Sequence, residues 1–199
     1  MAIRDRQKLI TELLSVVLGE KGQYDKKFDW FINKHAKENF GKYFSTIENV
    51  FQSLNGNGIK NQTKRSTGLA CDAYFGGEFN FIFEFDEFQH FSSARLKTFD
   101  RYPNEVKLNF DKEEWKRLCV IHKTKADKYR SSKTTTDFNF DGGRTAQRAY
   151  LDCFRDLLPE IHGLNPTLRI NEFEVVSITQ HDNHACRIIE QIITRKLSI

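Results

Sequence analysis

Three carboxylates in one short stretch could do chemistry together. Glu84 and Asp86 lie two residues apart in a segment where Phe79, Phe81, Phe83 and Phe85 alternate strictly. A period of two is that of a strand. The phenylalanines therefore take one face and Asn80, Ile82, Glu84 and Asp86 the other, with the two acids roughly 7 Å apart along the backbone. Residues 69–75 read as a partner strand, with Gly76-Gly77 as a two-residue hairpin turn, and Asp72 then faces the two acids. Acids converging on a half-buried sheet repel one another and lose hydration, and a divalent cation with hard oxygen ligands would offset both costs. Gln89 and His90 follow directly. An imidazole can exchange a proton near neutrality, and an amide can hold a water by donating and accepting. If the strand runs regularly to residue 90, His90 shares the side of Glu84 and Asp86, while Glu87 and Gln89 face away.

The elements that must position this hairpin follow from the apolar spacing. Leu9, Ile10, Leu13, Leu14 and Val17 form one helical stripe over residues 3–18. Phe28, Phe31, Ile32, Ala36, Phe40, Phe44, Ile47, Val50 and Phe51 recur at threes and fours, which predicts helix over residues 25–54. Residues 55–66 read as a polar loop carrying Lys60, Lys64 and Arg65. Beyond His90, residues 91–102 predict a helix bearing Arg95 and Arg101, stopped at Pro103. Residues 118–121 read as a short buried strand, and residues 123–133, with Lys123, Lys125, Lys128 and Arg130, as a flexible basic interval. A helix over 146–161, a strand over 168–178 and a closing helix over 184–197 complete the chain. The fold class is α/β with a central mixed sheet flanked by helices. One domain is expected, comprising a helical N-terminal region (1–55), the hairpin (68–90), an insertion (91–145) and the remainder of the core (146–199).

Composition narrows the classes. A net charge of +4 and a pI near 8.8 are compatible with a polyanion partner. Cys71, Cys119, Cys153 and Cys186 are scattered without close pairs, as in reduced cytoplasmic proteins. No signal peptide or membrane span is expected. His181 and His184 are three apart, but a helix N-terminus capped by Asp182 or Asn183 explains them better than zinc. No glycine-rich phosphate loop and no Ser or Cys nucleophile motif is present.

Asp72 on one strand, then Glu84-Phe85-Asp86-Glu87-Phe88-Gln89-His90 closing the next, resembles the PD-(D/E)xK nuclease superfamily, in particular the branch related to very-short-patch repair endonucleases. Arg155-Asp156-Leu157-Leu158, Gly163, Leu168-Arg169-Ile170 and Glu174-Val175 match the later part of that pattern. Glu87 replaces its usual Gly, and Asp86 stands where most of the superfamily has Lys. The resemblance implies a restriction-endonuclease-like fold and a Mg²⁺-dependent endonuclease, with Mn²⁺ as a substitute, acting on double-stranded DNA as a restriction or other defence enzyme. Asp72, Glu84 and Asp86 become the metal ligands, and Gln89 and His90 replace the missing Lys. Lys60, Lys64, Arg65, Arg95, Arg101, Lys123, Lys125, Lys128 and Arg130 are the expected nucleic-acid contacts. The N-terminal helices offer a homodimer interface. A repair-type nicking enzyme, an RNA-directed nuclease or toxin, and a non-catalytic DNA-binding protein with a nuclease fold remain alternatives.

Overall fold

The computed structural model describes residues 3–197. Its first half comprises α1 (Ile3–Leu18), β1 (Gln23–Tyr24), β2 (Lys27–Ile32), α2 (Lys37–Phe40), α3 (Phe44–Ser53), α4 (Gly58–Thr63), β3 (Gly68–Ala70) and β4 (Ala73–Phe75). There follow β5 (Phe81–Asp86), α5 (Ser93–Phe99), α6 (Lys112–Lys128), α7 (Gly143–Ile161), β6 (Asn165–Asn171) and α8 (Asn183–Leu197). The main sheet is mixed, in the order β1-β4-β5-β6, with β5 antiparallel to β4 and parallel to β6; β2 and β3 form a separate ribbon.

Alternation along β5 separates two interiors. Phe81, Phe83 and Phe85, with Leu168 and Ile170 of β6, face α1 and α8, whose Ile10, Leu13, Leu14, Ile189, Ile192 and Ile193 complete one apolar cluster. A second cluster joins α3, α5, α6 and α7 through Phe51, Phe99, Trp115, Tyr150, Phe154 and neighbouring residues. The α7-facing side of the sheet is polar: Glu84 and Asp86 on β5, Arg169 and Asn171 on β6. No helix among the described residues is long and apolar enough to cross a membrane, and the four cysteines are free.

Several elements differ from the sequence expectation, each for an identifiable reason. Residues 25–54 are not one helical region. Within β2, exposed Lys27 and Asp29 alternate with half-buried Phe28 and Trp30, a period of two hidden beneath the three-and-four spacing of the apolar residues. Stacking of Trp30 between Phe28 and His162 holds that strand. Residues 118–121 are helical: Trp115, Leu118, Cys119 and Ala126 are buried at α spacing, while Val120 and Ile121 point outward. Asp111 caps this helix, accepting from the Glu113 and Glu114 amides. The interval 123–133 is therefore mostly the end of α6, and the polar loop 55–66 contains α4. The connection from β4 to β5 spans residues 76–80 rather than a two-residue turn, and the strand expected over 168–178 stops at Asn171. Residues 91–145 supply Phe99, Trp115, Leu118 and Phe138 to the core. Asp182 accepts from the Ala185 amide at 2.8 Å, so the His181–His184 region is a helix start. Gly143 opens α7 where no other residue fits, because a Cβ there would lie 1.9 Å from the Phe138 carbonyl oxygen.

Between sheet and helices lies a buried ionic cluster centred on Arg169, which is 0% exposed. Its guanidinium meets Asp86 at 2.6 Å and Asp156 at 2.8 Å. Arg95 meets the other Asp156 oxygen at 2.5 Å, and the Tyr102 hydroxyl donates to that same oxygen at 2.6 Å. Removing one partner strands the rest, at a cost of about 3–5 kcal/mol. Arg169→Met should lower stability to urea by about that amount. Arg117→Ala, which breaks only an exposed pair with Glu114, should leave the urea midpoint in place.

Candidate functional site

Asp72 precedes β4 and Glu84 lies within β5. Their neighbours Ala73 and Phe83 are paired, so continuing the antiparallel register by one residue sets Asp72 opposite Glu84 on the same face. Asp72 has partly taken over the ladder: its Oδ2 accepts from the Phe85 amide at 2.8 Å. Glu84, 5% exposed, faces α7. Arg155 Nε lies 2.8 Å from Glu84 Oε1, but off the angle of a hydrogen bond, so both atoms are buried without a hydrogen-bond partner.

Both acids border a cleft of about 360 Å³ together with Glu87, Gln89 and His90. The facing wall is α7, which contributes Arg144, Arg148, Asp152 and Arg155, while Tyr129 and Arg130 close one end. The three arginines and Asp152 recur at 144, 148, 152 and 155, one stripe of a helix with 3.6 residues per turn. That stripe was the missed signal in the sequence. The apolar face of the same helix was legible, and its opposite face carries most of the cleft's positive charge.

Electrostatics divide the cleft into an acidic floor and a cationic wall. Burial pushes the Asp72 carboxyl up to about 6, against the Phe85 amide and Arg155, which favour the anion. Burial likewise pushes Glu84 up to about 8, with Arg155 opposing and Asp72 reinforcing the rise. Burial, then repulsion from Arg130, lowers the pKa of Arg144. Arg148 is lowered too, first by burial, with Asp152 opposing and Arg144 adding to the drop. Cations crowded together beside a cleft favour an anionic ligand.

The strand does not continue to residue 90. After Asp86 the chain turns through Glu87 into a short 3-10 turn, Phe88–His90. Glu87 is thereby brought to the cleft with Asp72, contrary to its expected position facing away. Asp86 is not at the cleft: its oxygens are occupied by Arg169 and by the Trp115 indole N–H at 2.8 Å, and it is 1% exposed. The expectation that Asp86 binds metal is corrected on that ground. His90 does reach the cleft, with Nδ1 3.0 Å from Asp152 Oδ2. Burial acts to raise Asp152, but His90, Arg169 and Arg95 outweigh it and hold the carboxyl below the ordinary range. Gln89 has both ends of its amide engaged, donating to Glu87 and accepting from Arg148, so it braces these groups rather than holding a water.

The expected nucleic-acid contacts sort unequally. Lys123, Lys125 and Lys128 lie exposed on the last turns of α6, which lead to Tyr129 and Arg130 at the cleft. Lys60, Arg65 and Arg101 are exposed but do not line it. Lys64 is bound to Asp137 at 2.5 Å with its side chain 9% exposed. Arg95 is buried in the ionic cluster. Neither of these two is placed to touch a phosphate, which corrects the expectation for both.

Asp72 and Glu84 offer hard oxygen donors, and Glu84 Oε1 is a buried acceptor that Arg155, 2.8 Å away, meets by charge without an aligned hydrogen bond, which leaves it able to ligate a cation. Among the described residues no three His, Cys, Asp or Glu side chains form a group that could hold a metal ion by themselves. Mg²⁺ is commonly held by one or two carboxylates, with water and substrate oxygens completing its shell, and these residues fit that pattern. Comparison with known families, curated proteins and solved structures finds no match for this chain.

Because both acids titrate higher in the folded than in the unfolded chain, the native state binds more protons between the unfolded carboxylate range and about pH 8. The contribution of these two acids to the stability of the metal-free protein should therefore fall as pH rises through that window and level off above it. The part above about pH 6 belongs to Glu84. Urea denaturation of Glu84→Gln should show that upper part of the decline abolished, and a slope equal to the parent's would refute the assignment.

Proposed function

We propose that this protein is a metal-dependent DNA endonuclease of the PD-(D/E)xK kind, serving as a restriction or other defence enzyme. The observation that carries the reading is the meeting of Asp72 and Glu84 across an antiparallel pair, at the floor of a cleft walled by Arg144, Arg148 and Arg155. The order of elements supports a restriction-endonuclease-like core: a helix, an antiparallel pair bearing the acids, then a long helix leading to a parallel strand.

Asp72 and Glu84 would hold Mg²⁺ or Mn²⁺. When bound, such a cation lowers the pKa of water and screens charge on a phosphate. The chain's own groups do the rest. Arg144 and Arg148 hold the phosphate and neutralise charge that builds on its oxygens. Arg155, beside Glu84, supplies from α7 the cation that Asp86 fails to supply in the Lys position. His90, held through Nδ1 by Asp152, exchanges a proton through its other nitrogen, since the contact with Asp152 fixes the ring's orientation. Gln89 keeps Glu87 and Arg148 in place. The exposed lysines at the end of α6 extend the positive surface along the DNA backbone.

Incubation with plasmid DNA in Mg²⁺ or EDTA tests this reading. Discrete linear fragments in Mg²⁺ alone are expected of a restriction enzyme. Nicked circles would favour a repair-type nicking enzyme, and intact plasmid a binding protein. Asp72→Ala and Glu84→Ala should abolish cleavage while DNA binding persists, and near-parental turnover by either would refute the assignment. His90→Ala should slow cleavage by roughly 10²–10⁴ with little change in Mg²⁺ dependence.

A separate measurement addresses the end of α6. Replacing Lys123, Lys125 and Lys128 together by Ala should weaken binding to all duplex sequences alike. The dependence of log affinity on log salt should flatten by roughly 0.9 for each lost phosphate contact. An unchanged slope would show these lysines to be bystanders.

A further inference from the structure

Residues 49–71 carry no Asp or Glu but three cations, Lys60, Lys64 and Arg65. Within this run lies α4, a helix of six residues, too short to hold itself together in water. Polar tethers hold it. Asn57 caps it by accepting from the Lys60 amide at 3.0 Å. Lys34 Nζ donates to the carbonyls of Gln62 and Lys64 at its other end, both at 3.3 Å. Asn61, its one buried residue, lies 3.3 Å from His35 Nδ1 through its amide nitrogen. Every other residue of α4 is exposed, Ile59 at 75%. The helix is fixed in place, yet it supplies no side chain to either apolar cluster.

Its anchor stands beside the cleft. The Asn57 amide donates to the Asp137 carbonyl at 2.8 Å, and Lys64 meets the Asp137 carboxylate. The next carbonyl, that of Phe138, packs directly on Gly143, and Arg144 of the cleft follows Gly143. Residues 131–143 thus join Arg130 to Arg144, two of the cleft's arginines, and α4 is bonded to that same segment.

A helix with its side chains is about 10–12 Å across, and the major groove of B-form DNA is about 12 Å wide. Ile59 and Gln62, three apart, share one face of α4, and Arg65 follows just past its end. Gln pairs with adenine and Arg with guanine through two hydrogen bonds each, and an apolar side chain packs on the thymine methyl. A surface without carboxylates meets a polyanion without repulsion. The deep, narrow major groove of A-form RNA is closed to side chains.

We propose that α4 reads base pairs in the DNA major groove beside the phosphate held in the cleft, with Gln62 and Arg65 on base edges. The substrate is then B-form duplex DNA of a particular sequence. The inference rests on the endonuclease reading for the place of the cut, whereas sequence preference is measured by binding alone.

A pool of DNA duplexes with a randomised centre, bound in EDTA, recovered and sequenced, measures that preference. The parent should enrich one short motif. Gln62→Ala and Arg65→Ala should each lower the preference at one base pair of it by roughly tenfold. Both side chains are exposed, so the urea midpoint should not move. Arg65→Lys, which keeps the charge and loses the fork, should lose the same base pair as Arg65→Ala while keeping the parent's salt dependence. An RNA duplex of the motif sequence should bind no better than DNA without the motif. In Mg²⁺, cuts should fall within about one helical turn of the motif, roughly 34 Å.

No enrichment by the parent, or the same motif enriched by Gln62→Ala and Arg65→Ala, would overturn the assignment, as would equal affinity for the RNA duplex. A preference lost from both variants, while plasmid bearing the motif stays intact in Mg²⁺, would uphold α4 as a reader and refute the endonuclease. Cleavage at the same sites by the parent and both variants would do the reverse. A protein that neither binds nor cuts any duplex would refute both.

Discussion

The guanidinium of Arg169 ties the sheet, whose apolar face packs on α1 and α8, to the separate apolar cluster of α5, α6 and α7. It sits on β6 beside Glu84 of β5 and reaches Asp86 on that strand and Asp156 on α7. Asp86 in turn accepts from Trp115 of α6, and Asp156 from Arg95 of α5 and from Tyr102. Three helices and two strands from distant parts of the sequence thus meet around one fully buried cation. Apolar packing alone leaves the sliding of α7 over the sheet weakly specified, whereas hydrogen bonds of fixed geometry define it. Since α7 carries three of the cleft's four arginines, the cluster behind the cleft sets where that wall stands relative to Asp72 and Glu84.

Two acids on one face of one strand therefore have different fates. Asp86 has one oxygen held by Arg169 and the other by the Trp115 indole N–H and is locked into the scaffold. Glu84 has one cation in contact, Arg155, and no aligned hydrogen bond to it. Burial dominates its environment and raises its pKa, so its ionised form costs the fold stability where that of Asp86 does not. Asp152 plays both parts, reaching toward Arg169 behind the cleft and bonding His90 at its edge.

Much of this was legible in the sequence, and the rest was hidden for physical reasons. The alternation of Phe81, Phe83 and Phe85 fixed the strand and its faces, and Asp72 and Glu84 do converge. The stripes of α1, α7 and α8 were plain. Three-and-four spacing misled over residues 25–54, where the large aromatics that β2 half-buries happen to fall at helical intervals. It was overlooked over 115–126, where Val120 and Ile121 filled out an apolar run although both are exposed. Partnership was the least legible feature. Nothing local distinguishes Arg95, which is buried, from Arg101, which is exposed, because the distinction is made by Asp156, more than fifty residues away. The turn after Asp86 also could not be read from alternation, and it exchanged the positions expected of Asp86 and Glu87 at the cleft.

The division of β5 into an aromatic face and an acidic face also guards the assembly of the sheet. A slip of one residue along β4 or β6 would turn three phenylalanines toward Arg155 and Arg169 and drive Glu84 and Asp86 into the isoleucines and leucines of α1 and α8. Neither error has a cheap compromise, since each buries bare charge on one side while leaving guanidinium groups without anions on the other. Misaligned pairings of this strand are therefore self-defeating, and the chain proofreads its own register with the same carboxylates that line the cleft and anchor the scaffold.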